Sequence, residues 1–114
     1  MLNLADSRSE VYLFCGNSDM RLGIDRLVEL VESYNPISGK GYFVFACRKR
    51  SRIRILYWDQ DGYAVWLKRL EAGKYRINSD NTIEILTIED LKRILSGIDL
   101  ERIKFQKSAK KQMK

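Results

Sequence analysis

The stretch whose reading decides the fold is residues 42–77, YFVFACRKRSRIRILYWDQDGYAVWLKRLEAGKYRI. It holds both tryptophans and the densest run of cations in the chain. Tyr42–Cys47 is an uninterrupted apolar run between Gly41 and a charged loop, the pattern of a strand buried on both faces. Ile53–Trp58 and Tyr63–Leu70 flank Asp59-Gln60-Asp61-Gly62, which reads as a tight hairpin. These three segments make an antiparallel meander.

Working outward, Val11–Gly16 (VYLFCG) is a short buried strand ending in glycine. A helix is expected to follow, capped by Asn17 or Ser18, with Asp19 in its first turn where the dipole favours an anion. Apolar residues recur at Met20, Ile24, Leu27, Val28, Val31 and Tyr34, one stripe of a long helix, with Gly23 inside it as a point of close backbone approach. Asn35-Pro36-Ile37-Ser38-Gly39 ends it. Beyond the meander, Asn78–Asn81 is a turn and Thr82–Leu86 a short strand. Thr87 then caps a second helix with its stripe at Ile88, Leu91, Ile94 and Leu95 and its stop at Gly97. The predicted fold is α+β: residues 1–101 form a single domain, mainly an antiparallel β-meander packed against one long N-terminal helix, with a second short C-terminal helix. Residues 102–114 form a basic, flexible tail.

Composition narrows the function. The chain of 114 residues has no histidine, which removes the commonest general base and zinc ligand. Its start, MLNLADSRSE, lacks the cationic and apolar regions of a signal peptide, and no run is long enough to span a membrane, so a cytoplasmic protein is expected. Cys15 and Cys47 lie in apolar runs without Cys-x-x-Cys spacing and are expected as reduced, buried thiols. Asp59 and Asp61, with Asp19 or Asp25, could in principle hold Mg²⁺, but Asp-x-Asp-Gly is the chemistry of a turn, so neither metal nor cofactor is expected. Lys40–Phe45 shares part of the aromatic signature of RNA-recognition motifs, but its small fourth residue is missing and it follows a helix rather than a strand.

Charge is segregated. Arg48, Lys49, Arg50, Arg52 and Arg54 put five cations in seven residues, and residues 102–114 hold six more without an acid. The rest of the chain has 10 cations against 15 acids. An acidic body with basicity confined to one hairpin and one tail favours a polyanion as partner. Register sharpens this. A three-residue loop Gln60-Asp61-Gly62, with Gly62 left-handed, pairs Trp58 with Ala64, Leu56 with Trp66 and Arg54 with Lys68, whereas a four-residue loop would pair Trp58 with Tyr63 and mix the apolar and basic sets, which the burial pattern disfavours. Arg52, Arg54, Trp58, Trp66 and Lys68 then share one face, charge for phosphates and rings for bases. The alternative is that a helix covers this face and the tryptophans are core. The expected nucleic-acid contacts are Arg48, Lys49, Arg50, Arg52, Arg54, Lys68 and Arg69.

Five blocks in one order carry a resemblance: Ser18-Asp19-Met20-Arg21 with Gly23 and Asp25; Phe43-Val44-Phe45; Ile55–Asp59, including Trp58, with Asp61 and Gly62; Lys68-Arg69-Leu70-Glu71 with Gly73; and Leu95-Ser96-Gly97-Ile98-Asp99. Over about Val11–Leu100 the chain resembles the TnpB accessory proteins of the IS66 family of insertion sequences, which are distinct from the RNA-guided nuclease sharing that name. The resemblance implies a small protein encoded beside a separate transposase and a helix-turn-helix protein, needed for efficient movement of the element and without established catalytic activity. It departs from the pattern at Leu22, Cys47, Ser51 and Gln60. DNA, the transposase and the sister proteins are the partners it implies. Two readings compete: a DNA-binding accessory factor, or an adaptor that holds the transposase without touching DNA.

Overall fold

The computed structural model describes residues 2–4, 9–34, 41–78 and 80–96. The expected helix end at Asn35–Gly39, the stop at Gly97, the Ile98-Asp99 part of the last block and the basic tail lie outside them. The elements are β1 (Val11–Asn17), α1 (Ile24–Tyr34), β2 (Tyr42–Ala46), β3 (Arg52–Asp59), β4 (Gly62–Arg69), β5 (Ile83–Leu86) and α2 (Ile88–Leu95). The strands form one sheet in the order β4-β3-β2-β1-β5. β1 and β2 pair in parallel, while the other three neighbouring pairs are antiparallel.

This corrects the expected meander on one long helix. The architecture is a five-stranded mixed sheet with a short helix on each face. The parallel pair explains why β1 and β2 read as continuous apolar runs: central strands with both faces covered need no polar alternation. Val11, Leu13 and Cys15 of β1 join Val44, Ile53, Ile55 and Tyr57 in a core closed by Ile88, Leu91 and Ile94 of α2. The alternate side chains Tyr12, Phe43, Phe45 and Leu56 meet Leu27 and Val31 of α1 on the opposite face. Phe43 is fully buried, and its removal from water contributes roughly 2–3 kcal/mol.

α1 begins at Ile24, not near Met20. Gly23 stands just outside it, with its carbonyl accepting the first helical bond from Leu27 at 3.2 Å. Residues 19–22 form a separate turn, closed by Leu22 N–H donating to the Asp19 carbonyl at 3.0 Å. The cause is Arg54, whose guanidinium takes the carbonyls of Leu22 (2.6 Å) and Asp19 (3.1 Å) sideways. A carbonyl bent toward β3 is poorly placed for a helical ladder, so the helix starts one turn later. Gly23 consequently makes no close approach: a Cβ there would meet open space. α2 starts as expected, with a complete capping box in which Asp90 N–H donates to Thr87 Oγ1 (3.1 Å) and Thr87 N–H to Asp90 Oδ2 (3.3 Å).

The hairpin register differs by one residue from the expected one. Asp59 pairs with Gly62, Trp58 with Tyr63, Leu56 with Val65, Ile55 with Trp66 and Arg54 with Leu67. The connection is two residues long. Gln60, not Gly62, takes the left-handed conformation (φ 60°), and Asp61 N–H closes a γ-turn on the Asp59 carbonyl at 2.6 Å. In this register Ala64 and Trp66 pack against the core under α2, and Tyr63 and Val65 against the core under α1.

Candidate nucleic-acid interface

The pairing places the ends of β1, β2 and β4 and the starts of α1, β3 and β5 at one end of the sheet. That end collects the cations. Cys47–Arg50 is a turn closed by Arg50 N–H on the Cys47 carbonyl (2.9 Å), with Cys47 N–H bonded to the Arg52 carbonyl (3.1 Å) behind it. Arg50 itself is left-handed (φ 61°), a conformation costing an L-residue roughly 1–2 kcal/mol. The turn lifts Arg48 and Lys49 into solvent. Arg52 opens β3 facing Arg69 across the hairpin, both exposed, and exposed Lys68 lies on the opposite face opposite Ile53.

Arg50 and Arg54 behave differently, being only 6% and 7% exposed. Arg50 Nη2 donates to the carbonyls of Cys15 (2.6 Å) and Asn78 (2.5 Å), and Nη1 to that of Cys47 (3.3 Å). It ties β1, its own turn and the segment before β5 together. Arg54 holds the turn 19–22, and its Nε has no hydrogen-bond partner among the described residues. Burial pushes the Arg54 pKa below its ordinary value, yet a guanidinium stays charged at any physiological pH. Neither arginine forms an ion pair among the described residues. Two buried positive charges, held mainly by carbonyl oxygens and, for Arg54, also favoured by the nearby Asp19 carboxylate, therefore lie beneath the exposed ones. They are clamps rather than reachable contacts, and the positions accessible to a ligand are Arg48, Lys49, Arg52, Lys68 and Arg69.

Two of the acids at this end are held by arginines, while Asp25 in the first turn of α1 is exposed without an ion pair among the described residues. Asp19 accepts from Arg21 in a bidentate pair, Nε to Oδ1 and Nη2 to Oδ2, both 3.0 Å. Arg21's side-chain and backbone hydrogen bonds hold the Asp19 carboxyl down to about 2. Glu71 pairs with Arg69 at 3.0 Å. Arg48, Lys49, Arg52 and Lys68 have no carboxylate partner among the described residues. Sequence reasoning missed two further cations here. Tyr75 N–H donates to the Arg50 carbonyl at 2.7 Å, which draws the exposed Lys74 and Arg76 to the same end. No local pattern announces that contact.

The aromatic half of the expected surface lies elsewhere. Trp66 packs against the core under α2. Trp58 is 49% exposed, donates Nε1–H to the Gln60 carbonyl (3.1 Å) and meets Tyr63 edge-on at 5.0 Å. It sits at the hairpin tip with Asp59 and Asp61, six residues along β3 from Arg52 and so ~20 Å away. Of the residues shared with the resembled family, Asp19, Met20, Arg21 and Gly23 therefore gather at the cationic end, and Trp58, Asp59, Asp61 and Gly62 at the other. Among the described residues no three of His, Cys, Asp and Glu converge on a point where a metal could bind. No described helix is long and apolar enough to cross a membrane.

The two free thiols differ. Burial, aided by Glu84, pushes Cys15 up to about 11. Burial also pushes Cys47 up, but the Ser51 hydroxyl and the backbone N–H groups of Arg52, Ser51 and Lys49 outweigh it and bring the thiol down to about 7. Arg52 N–H donates to its Sγ at 3.3 Å. The same turn that displays Arg48 and Lys49 thus favours a negative charge at its base.

The IS66 Orf2 like protein family matches residues 9–105. Two proteins of Sinorhizobium fredii (strain NBRC 101917 / NGR234) are similar, both named only as uncharacterized. Protein y4jC is 33% identical over 91 residues, covering 75% of this chain and 76% of its own length. Protein y4hO is 33% identical over 93 residues, covering 78% and 80%. No solved structure matches. The chain belongs to the IS66 Orf2-like family and is an accessory protein associated with an insertion sequence.

Proposed function

We propose that this protein assists transposition of its element by binding DNA through the cationic end of the sheet, as a non-catalytic factor working in the cytoplasm beside the transposase and its sister proteins. The observation that supports it is the grouping of Arg48, Lys49, Arg52 and Lys68, none engaged by a described carboxylate, above the buried charges of Arg50 and Arg54. Fixed positive charge without local compensation attracts phosphates and releases their counterions. Because the exposed rings lie at the other end, the contact is with the backbone of the nucleic acid rather than with stacked bases.

Titration of the protein against a labelled duplex at several salt concentrations tests this. The reading expects log K to fall linearly with log salt, by about 0.9 per phosphate contacted. Absence of salt-dependent binding would remove it. A second reading, an adaptor for the transposase without DNA contact, draws support from the exposed Trp58 and Leu67, 49% and 56% accessible, which suit a protein partner. Co-sedimentation with transposase in the absence of DNA would favour it.

A further inference from the structure

We infer that β4 pairs with β4 of a second copy of this chain, antiparallel about a two-fold axis at Val65, joining the two sheets into one of ten strands. β4 is an outer strand of eight residues, twice the length of the other edge strand, β5. The parity of its hydrogen bonds is fixed by Leu70 N–H donating to the Ser51 carbonyl at 2.8 Å. Bonded pairs alternate along an antiparallel ladder, so 53/68, 55/66, 57/64 and 59/62 are the bonded ones. The N–H and C=O groups of Tyr63, Val65, Leu67 and Arg69 therefore point away from β3, and none has a partner among the described residues. The strand has no proline, and its pairing with β3 runs without a bulge. Lys68 and Arg69 guard one end, while the central residues carry no charge to repel another strand.

The occupant is specified by self-complementarity. Strands paired side by side keep their faces, so only registers whose partner numbers sum to an even value place like faces together. With Val65 opposite its own copy, all outward backbone groups of Tyr63, Val65 and Leu67 meet in bonded pairs. Leu67, 56% exposed in the single chain, lies opposite the second copy's Tyr63. Arg69, at the cationic end, lies opposite the second copy's Asp61, at the acidic tip. Asp61 immediately precedes β4 and the cations Lys68 and Arg69 end it, so antiparallel self-pairing brings opposite charges together twice, whereas parallel pairing sets like against like.

Sedimentation velocity on the full chain at tens of micromolar tests the inference independently of DNA binding. A dimer is expected. Leu67→Pro removes an N–H that points away from β3, so it should yield a monomer with an unchanged circular dichroism spectrum. Asp61→Lys should weaken the dimer by roughly tenfold, and adding Arg69→Glu should restore it. If Leu67→Pro does not fold, the charge-reversal pair decides alone. A parent protein that sediments as a monomer, or a dimer indifferent to both sets of substitutions, overturns the proposal.

Discussion

Arg54→Ala removes the side chain that sets where α1 begins. In the parent, Nη1 donates to the Leu22 carbonyl at 2.6 Å and Nη2 to the Asp19 carbonyl at 3.1 Å, with Ser18 Oγ at the 3.5 Å limit. Two good bonds from a charged donor contribute about 1.5–3 kcal/mol each. Against this stands the burial of a cation 7% exposed whose Nε has no partner among the described residues, an unfavourable contribution of about 1–3 kcal/mol that the variant relieves. The freed carbonyls lie on a partly exposed turn and regain water. The net expectation is a loss of about 2–4 kcal/mol, a large share of the 5–15 kcal/mol typical of a domain. The neighbouring Arg52→Ala, an exposed position on the same strand face, should change stability by no more than about 0.5 kcal/mol. Urea denaturation followed by circular dichroism measures both. Helix content should hold or rise slightly, since residues 19–22 are released to extend α1 backward. If Arg54→Ala melts with Arg52→Ala, within about 0.5 kcal/mol of the parent, Arg54 is not a clamp and the account of the helix start fails.

Gly41 enters β2 at φ 108°, and a Cβ there would lie 2.8 Å from the Glu10 carbonyl oxygen, so Gly41→Ala should lower stability by more than about 1 kcal/mol in the same melts. Thr87→Ala removes the hydroxyl half of the α2 capping box, leaving the backbone N–H of residue 87 on Asp90, and should cost about 1 kcal/mol, with Thr87→Ser recovering most of it. Cys47 supplies a pH dependence. Its folded value of about 7 lies below the ordinary 9.0, so the folded state favours the thiolate. That contribution is fully present above pH 9 and is lost as pH falls through 7, and it amounts to about 1–3 kcal/mol. Parent stability relative to Cys47→Ser should therefore rise across that window, and parallel pH profiles would exclude a thiolate at the turn.

Strands and the second helix were legible because their signals are local. Apolar runs at 11–15 and 42–46 announced buried strands, and Thr87 with Asp90 announced a helix start. The same runs also held the clue to the parallel pair, since covered faces on both sides suit a central parallel strand better than a meander. The first helix was misplaced because its limit is set from 32 residues away, by an arginine whose target carbonyls leave no mark in sequence. Register failed at a single position. Gly62 is the natural left-handed residue of Asp-Gln-Asp-Gly, but Gln60 takes that conformation, and one residue of slip moved Trp66 and Lys68 to the opposite face from Trp58. Alternation assigned Arg52 and Arg54 to one face correctly. It could not tell that the turn 19–22 covers one and leaves the other in water.

The most direct test of the central claim is the salt dependence of duplex binding by the variant Arg48→Ala, Lys49→Ala, Arg52→Ala. These side chains are exposed and make no described ion pair, so the fold should persist. Replacing Arg50 or Arg54 instead would remove clamps and confound binding with unfolding. If the three cations each meet a phosphate, the slope of log K against log salt should become shallower by about 2.7, with weaker binding at every salt concentration. A folded triple variant that binds duplex with the parent's affinity and slope would contradict the claim that this end of the sheet meets DNA.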